Sequence, residues 1–314
     1  MSNYLLRRLL SALPTLLLVA VAVFTLVRLI PGDPAQLLLG DAGDAAQLAS
    51  LRQSMGLDQP IYVQFGRWLV RVLQGDLGKS LTDGQDVLPL ILERFQVSAS
   101  IVVVAVLLAS LVALPLGLLA AWQQNRPLDT AIVASATVML SIPSFWLGLL
   151  LLLLFGLKLG WLPVVGFVVL TDNFQQGVLF LILPIATLVL IEIGVLTRMA
   201  RASAIDVLSL DFVTHARAKG LPEWRVLLQH VQPNAFAPTL TLIGLVLGNL
   251  LGGIAVLETV FTLPGLGRLL VDAIFARDYP VVQGCLLFTA IIYVLVNLVI
   301  DLCYPIFDPR VAAS

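Results

Sequence analysis

What this sequence lacks most is charge. Asp, Glu, Lys and Arg make up 12% of its 314 residues, about half the ~25% of a soluble domain. Hydrophobic residues reach 59%, which places the chain in the membrane class. The net charge is −1, with no basic tail and no block of like charge, so nothing points to nucleic acid as a partner. Cysteine is nearly absent. Cys285 and Cys303 both fall in the last apolar run, ~27 Å apart along a helix axis, too far for a disulfide within the chain. They read as small apolar fillers, and the redox compartment stays open. Histidine is equally sparse. His215 and His230 share one charged stretch, without the further ligands a metal site needs. The apolar runs hold no histidine, which argues against an intramembrane Ser–His protease. A nucleotide loop is missing too. GDLGKSL at 75–81 holds Gly-Lys-Ser, but Leu73 stands where the phosphate-binding motif requires its first Gly. The chain therefore has no ATPase site of its own and no catalytic constellation.

What is present is a set of long apolar runs. A helical span needs about 20 apolar residues. Six runs qualify, at 9–30, 99–122, 130–157, 178–198, 235–257 and 281–304. The expected fold class is an all-α polytopic membrane protein with six transmembrane helices. The first run exceeds the apolar core of a signal peptide and lacks a cleavage site after it, so residues 1–30 read as a retained anchor. Residues 31–97 form a long loop, 98–304 the core and 305–314 a tail. Arg7, Arg8, Arg126, the five basic residues Arg198, Arg201, Arg217, Lys219 and Arg225, and Arg310 fall on one side of the six runs, against Lys158, Arg268 and Arg277 in the short loops of the other. By the positive-inside rule both termini face the cytoplasm and the loop 31–97 is extracytoplasmic. Within that loop Ile61, Phe65, Trp68 and Val72 form one helical stripe. The stripe fits either a helix lying on the membrane surface or one packed on the spans.

The spans carry a few polar groups. Asn249 lies in the fifth run, Asn297 and Asp301 share a face of the sixth, and Glu192 sits late in the fourth. These are candidate pore-lining residues, with snorkelling to the interface as the alternative for the two acids. Gly244, Gly248 and Gly252 form a small-residue stripe that suits close helix packing, within the chain or against a partner.

The most charged connection is DFVTHARAKGLPEWRVLLQHVQPN at 211–234. Asp211 is placed to cap a helix that ends at Gly220, and Pro222 to open a second helix that Pro233 ends. Trp224, Leu227, Leu228 and Val231 recur at helical spacing in that second helix. Ala216 and Gly220 lie four apart between Arg217 and Lys219, a small basic surface. It reads as a docking knob or as an ordinary amphipathic connector.

This segment resembles the cytoplasmic EAA loop of binding-protein-dependent ABC importers. Ala216, Gly220 and Pro233 are in register with that pattern, while Thr214, His215, His230 and Gln232 depart from it. ARAKGL at 216–221 is similar to the dipeptide, oligopeptide and nickel permeases. So are RLIPGDPA at 28–35, GLDQPIYVQFGRWL at 56–69, SIPSFWLG at 141–148, ETVFTLPGLGRLLVDAIFARDYPVVQG at 258–284 and DPR at 308–310. The resemblance covers nearly the whole chain. It implies the type I ABC importer permease fold in a bacterial inner membrane. It implies a coupling loop at 199–234, with Ala216, Arg217, Ala218, Lys219, Gly220 and Pro233 as the ATPase-coupling residues. The implied partners are a second permease in a heterodimer, two cytoplasmic ABC ATPases and an extracytoplasmic solute-binding protein, all around a lipid bilayer. ATP and Mg would be used by the ATPases, with no cofactor or metal on this chain. Peptides are the first expected cargo. Nickel or another metal chelate, glutathione-like and opine-like solutes are the alternatives. A stand-alone secondary transporter or channel is the competing class.

Overall fold

The computed structural model describes residues 2–29, 34–39, 44–54, 56–169 and 171–307. The closing DPR, part of the tail and the middle of RLIPGDPA lie outside the described residues. The elements are helices throughout, apart from one isolated antiparallel bridge between Lys79 and Asp86. In order they are α1 (Ser2–Leu29), α2 (Pro34–Leu39), α3 (Ala45–Ser54), α4 (Ile61–Leu73), α5 (Val87–Trp122), α6 (Pro127–Ser141) and α7 (Ser144–Leu151). After a π-helical segment at Leu152–Lys158 come α8 (Phe174–Leu208), α9 (Asp211–Ala218) and α10 (Glu223–Arg225). A second π segment, Val226–Val231, leads into α11 (Gln232–Gly253), then α12 (Ala255–Val260), α13 (Leu266–Phe275) and α14 (Tyr279–Phe307). Among the described residues five helical stretches are long and apolar enough to span a membrane, and α6 with α7 and its π segment makes a sixth. The fold is all-α and polytopic.

The third expected span differs from a straight helix. Its two halves meet at 95°. Pro143 is the cause. The residue before a proline is driven out of the helical region, and Ile142 adopts φ −87°, ψ 124°. The chain turns there, and Pro143 then opens α7.

Small residues set the helix crossings. A Cβ on Gly117 of α5 would stand 2.6 Å from Ala200 Cβ and 2.8 Å from the Thr197 carbonyl oxygen of α8. Gly194 brings α8 equally close to α6, where a Cβ would meet the Ala136 carbonyl at 2.6 Å. Between lipid-like surfaces, packing and not hydrophobicity holds helices together, and small residues let the backbones approach. The core between α5, α8 and α11 is filled by Ile101, Val102, Val106, Leu188, Leu196 and Val246, with Phe261 and Leu263 from the chain after α12. Outward-facing Leu107, Leu111 and Leu157 stay exposed, as lipid contact requires.

At one end of the bundle the long loop folds back. Trp68 of α4 is buried, and Phe24 of α1 meets Phe65 at 5.2 Å and Trp68 at 5.4 Å between ring centroids. Leu287 of α14 joins the same cluster. Of the two readings of this helix, the structure has the one packed on the spans.

Candidate coupling surface and polar groups of the spans

At the other end, α9 packs on the π segment at Val226–Val231, beside the ends of α5 and α8. Val213 and Ala216 are buried in one cluster with Val226 and Val231 of that segment and with Ala121, Ala204 and Val207. The small face of α9 therefore looks inward, and Ala216 is part of the base of the loop. Arg217, Ala218, Lys219 and Gly220 are exposed. Gly220 has φ +80°, and nothing lies within 4 Å of where its Cβ would stand. It is needed for the left-handed turn, not for close approach. Arg217 does not stand free. Its Nε and Nη2 donate to the Glu223 carboxylate at 2.8 and 3.3 Å, tying α9 to α10 across the turn.

The second helix of the loop does not stop at Pro233. It runs from Glu223 to Gly253 through the π segment. The i→i+5 bonding of that segment widens the helix just before Pro233, whose ring would otherwise meet the carbonyl of the preceding turn. The π segment also changes which residues share a face. Val226 and Val231, five apart, are both fully buried, and Leu227 is buried beside them. Trp224 and Leu228 point outward, 56% and 52% exposed. An α-helical reading grouped Trp224, Leu227, Leu228 and Val231, and passed over Val226. With Phe212 and the basic Arg217, Lys219 and Arg225, the exposed residues make a mixed aromatic and cationic surface. Arg225 lies 5.0 Å from the Trp224 ring centroid.

Beneath this surface lies a pair the sequence did not flag. Asp129 at the start of α6 accepts from Arg201 Nε at 2.6 Å and Nη2 at 2.7 Å, and from the Asn125 backbone N–H at 2.9 Å. The bidentate fork fixes the α5–α6 turn to α8.

The polar span residues differ in their surroundings. Asn249 is exposed on α11, facing away from the rest of the chain. Asn297 donates to its own helix at Tyr293 O, 2.9 Å. Asp301 is half-buried on α14. Glu192 is buried on α8, 7% exposed, and its Oε2 has no partner among the described residues. The glycine stripe packs inside the chain: Gly244 lies against Ile300, Gly248 against Tyr293 and Gly252 against Thr289, all on α14. A Cβ on Gly248 would stand 2.6 Å from the Tyr293 ring.

An exposed surface on a polytopic bundle acquires meaning from relatives. The family described as "Binding-protein-dependent transport system inner membrane component" matches residues 113–313, and its N-terminal companion matches 1–102. The chain belongs to this family of permeases. A "Glutathione transport system permease protein GsiC" of Salmonella paratyphi A is 44% identical over 99% of both chains. A "Putative peptide transport system permease protein" of Brucella abortus is 41% identical over 99% of both. Among solved structures, an amino acid ABC transporter crystallised with histidines overlays 71% of this chain and 94% of its own, at 17% identity and a TM-score of 0.47. The permease is an inner-membrane transport component and not a catalytic subunit.

Two anchors in the permease sit in stretches whose chemistry was not legible in the sequence. Glu258, fully buried on α12, turns its carboxylate to the N-terminus of α13. It accepts from the Ser98 hydroxyl at 2.5 Å and from the Arg268 and Gly267 backbone N–H groups, the first at 2.8 Å. Ser98 Oγ in turn accepts from Leu266 N at 2.8 Å. An anion at a helix N-terminus offsets the unpaired N–H groups there. Gly265 leaves room for it, since a Cβ there would overlap the carboxylate. This gives ETVFTLPGLGR a physical sense.

The second anchor is the loop that imitates a phosphate site. Asp278 caps α14 and is 2% exposed. Its Oδ2 accepts from the Ser80 hydroxyl at 2.5 Å, from Leu81 N at 3.1 Å and from the Thr82 hydroxyl at 3.1 Å. The Gly-Lys-Ser loop does cradle an anion, but the anion is the permease's own carboxylate. Asp before Tyr-Pro at the start of an apolar run is a helix-capping signal that would have found Asp278, though not its partner in the loop.

Proposed function

We propose that this permease forms half of the translocation path of an ATP-driven importer of peptides, di- and oligopeptides or glutathione-sized, delivered by a solute-binding protein. It pairs with a second permease in a heterodimer. Two cytoplasmic ATPases bind ATP and Mg and carry out hydrolysis. Both termini face the cytoplasm, and the chain itself holds no cofactor.

The observation that carries this reading is the loop at 211–234. A rigid base of buried Ala216, Val226 and Val231 presents exposed Phe212, Trp224, Arg217 and Lys219 at one end of the bundle. Exposed aromatics among cations are the composition of a protein-binding surface. It suits an ATPase groove, and its base is joined to the spans through α8 and α11. Closure of the ATPases would then move the spans directly. Asn249, exposed on α11, is the residue best placed to face the path or the second permease. The names of the two relatives favour peptide and glutathione as cargo.

The test is uptake into liposomes holding the assembled complex. Binding protein is supplied outside, with a peptide pool, glutathione and a nickel chelate in parallel. Accumulation of peptide or glutathione that requires both ATP and binding protein is expected. Uptake of the chelate alone would move the cargo to metals. Uptake by this chain without ATPases would overturn the importer reading in favour of a secondary transporter.

A further inference from the structure

A cavity of about 750 Å³ lies between the end of α1, the turn at 54–57, α4 and the start of α14. It is at the end of the bundle opposite the coupling surface, and none of the roles above uses it. Arg28, Arg67 and Arg71 line it, and among the described residues no Asp or Glu does.

Two of the arginines, Arg28 and Arg67, have contacts that hold them. Arg28 Nη2 donates to Gln64 Oε1 at 2.8 Å, and its guanidinium lies 3.6 Å from the Phe24 ring centroid. Gln64 is fixed by donating its own amide to the Leu57 and Gln59 carbonyls at 3.2 and 2.8 Å. Arg67 Nη1 lies 3.5 Å from where a Cβ on Gly56 would be, so its guanidinium rests against the turn. Two further donors line the same space. Tyr279 is 6% exposed, and its hydroxyl has no hydrogen-bond partner among the described residues. The buried Gln283 amide nitrogen is likewise without one.

Buried polar groups are rarely left unpaired. Three guanidinium groups at the open side of the cavity, with a buried hydroxyl and amide donor and no carboxylate among the described residues, form a set that calls for an oxyanion with several acceptor atoms. We propose that this cavity binds a phosphate-type oxyanion, carried on a membrane lipid headgroup or free in solution. The surroundings favour the lipid. Leu29, Tyr62, Val70 and Leu73 nearby are 53–79% exposed, an apolar rim beside a cationic pocket at the end of a span. The bound anion would fasten α4 and the long loop to α1 and α14, whichever solute the transporter carries.

The experiment uses the assembled transporter in nanodiscs of phosphatidylcholine with a minor share of phosphatidylglycerol. After detergent extraction, retained lipid is counted by native mass spectrometry. Melting temperature is followed in parallel against inorganic phosphate. Wild type is expected to retain phosphatidylglycerol preferentially, with a loss of about fivefold per arginine in Arg67→Gln/Arg71→Gln. Tyr279→Phe removes only a hydroxyl, guards against an arginine variant that fails to assemble, and is expected to weaken retention several-fold less. Stabilisation by inorganic phosphate that these variants lose, without lipid retention, would assign the site to a free anion. Equal lipid ratios and equal phosphate response in wild type and variants would overturn the site.

Discussion

Arg217 and Glu223 face each other across the Gly220 turn, each 40% exposed. An exposed pair of this kind contributes about 0.2–1 kcal/mol, so its value lies in shaping the surface proposed to meet the ATPase. Arg217→Glu sets two carboxylates together and is expected to lower ATPase co-purification. The exchange Arg217→Glu/Glu223→Arg restores the pair and is expected to recover much of it. No recovery would mean that Arg217 touches the ATPase itself. At Gly220 the demand is on the backbone, because φ is +80° and the surrounding space is open. Gly220→Val is expected to impair uptake with insertion intact, and Gly220→Asn, which tolerates this region, to spare it. Equal loss in both would point to crowding of a docked partner. Gly265→Ala drives a methyl into the Glu258 carboxylate, at a cost of about 1–3 kcal/mol, read as a lower melting temperature of the solubilised complex. Burial pushes the Glu258 carboxyl above its ordinary 4.5, against hydrogen bonds from Ser98 and the α13 backbone. The folded protein thus holds that proton more tightly than the unfolded chain. The stability this contributes is complete below the ordinary value and is lost as pH rises through the folded one. Glu258→Gln is expected to flatten the fall in melting temperature above pH 4.5. An unchanged slope would place the titration elsewhere.

Among the elements, the pairing of α11 with α14 rests on the glycine stripe. Gly248→Leu must displace the Tyr293 ring and is expected to cost about 1–3 kcal/mol, seen as poor accumulation in the membrane. Normal accumulation with lost heterodimer would instead return the stripe to a partner contact. The stripe was visible in the sequence, but its neighbour was not, because four-residue spacing shows that a face is narrow and not what lies against it. Helix α4 shows the same limit. Its apolar stripe was legible, and the choice between lipid and Phe24 needed the third dimension. The break at Pro143 was written in the proline, yet an apolar run hides it, since hydropathy averages over the bend. The π segment at 226–231 left no mark at all, and one shifted hydrogen-bond register moved Val226 into the base and Trp224 out of it.

For the whole molecule, composition alone settled the membrane class and the apolar runs settled the helical fold. The glycine and the charge at 211–234 marked the segment but left a docking knob and an ordinary connector both open, and the resemblance to the EAA loop was what favoured docking. The carboxylate anchors escaped because each joins residues far apart in sequence: Ser98 with Glu258, Ser80 with Asp278, Asp129 with Arg201. Spacing motifs cannot register such pairs. Asp278→Asn keeps the shape of its anchor and removes the charge. It is expected to loosen the loop at 78–82 first, measured as faster amide exchange there while α5 and α8 stay protected. Uniform exchange across the bundle would make Asp278 a determinant of the whole fold.

The uninterrupted helix from Glu223 to Gly253 can be regarded as a drive shaft. At 1.5 Å per residue it is ~46 Å long and joins the presented Trp224 to the depth of the bundle in one continuous helix. Its π turn amounts to one residue of slack stored at the driven end. If that slack slides toward Gly253, every residue it passes turns by ~100° and advances by ~1.5 Å, with no hydrogen bond lost for longer than the step takes. Asn249 lies near the far end of the shaft. A push on the loop could then be delivered there as rotation, a different motion from the tilt of a rigid rod.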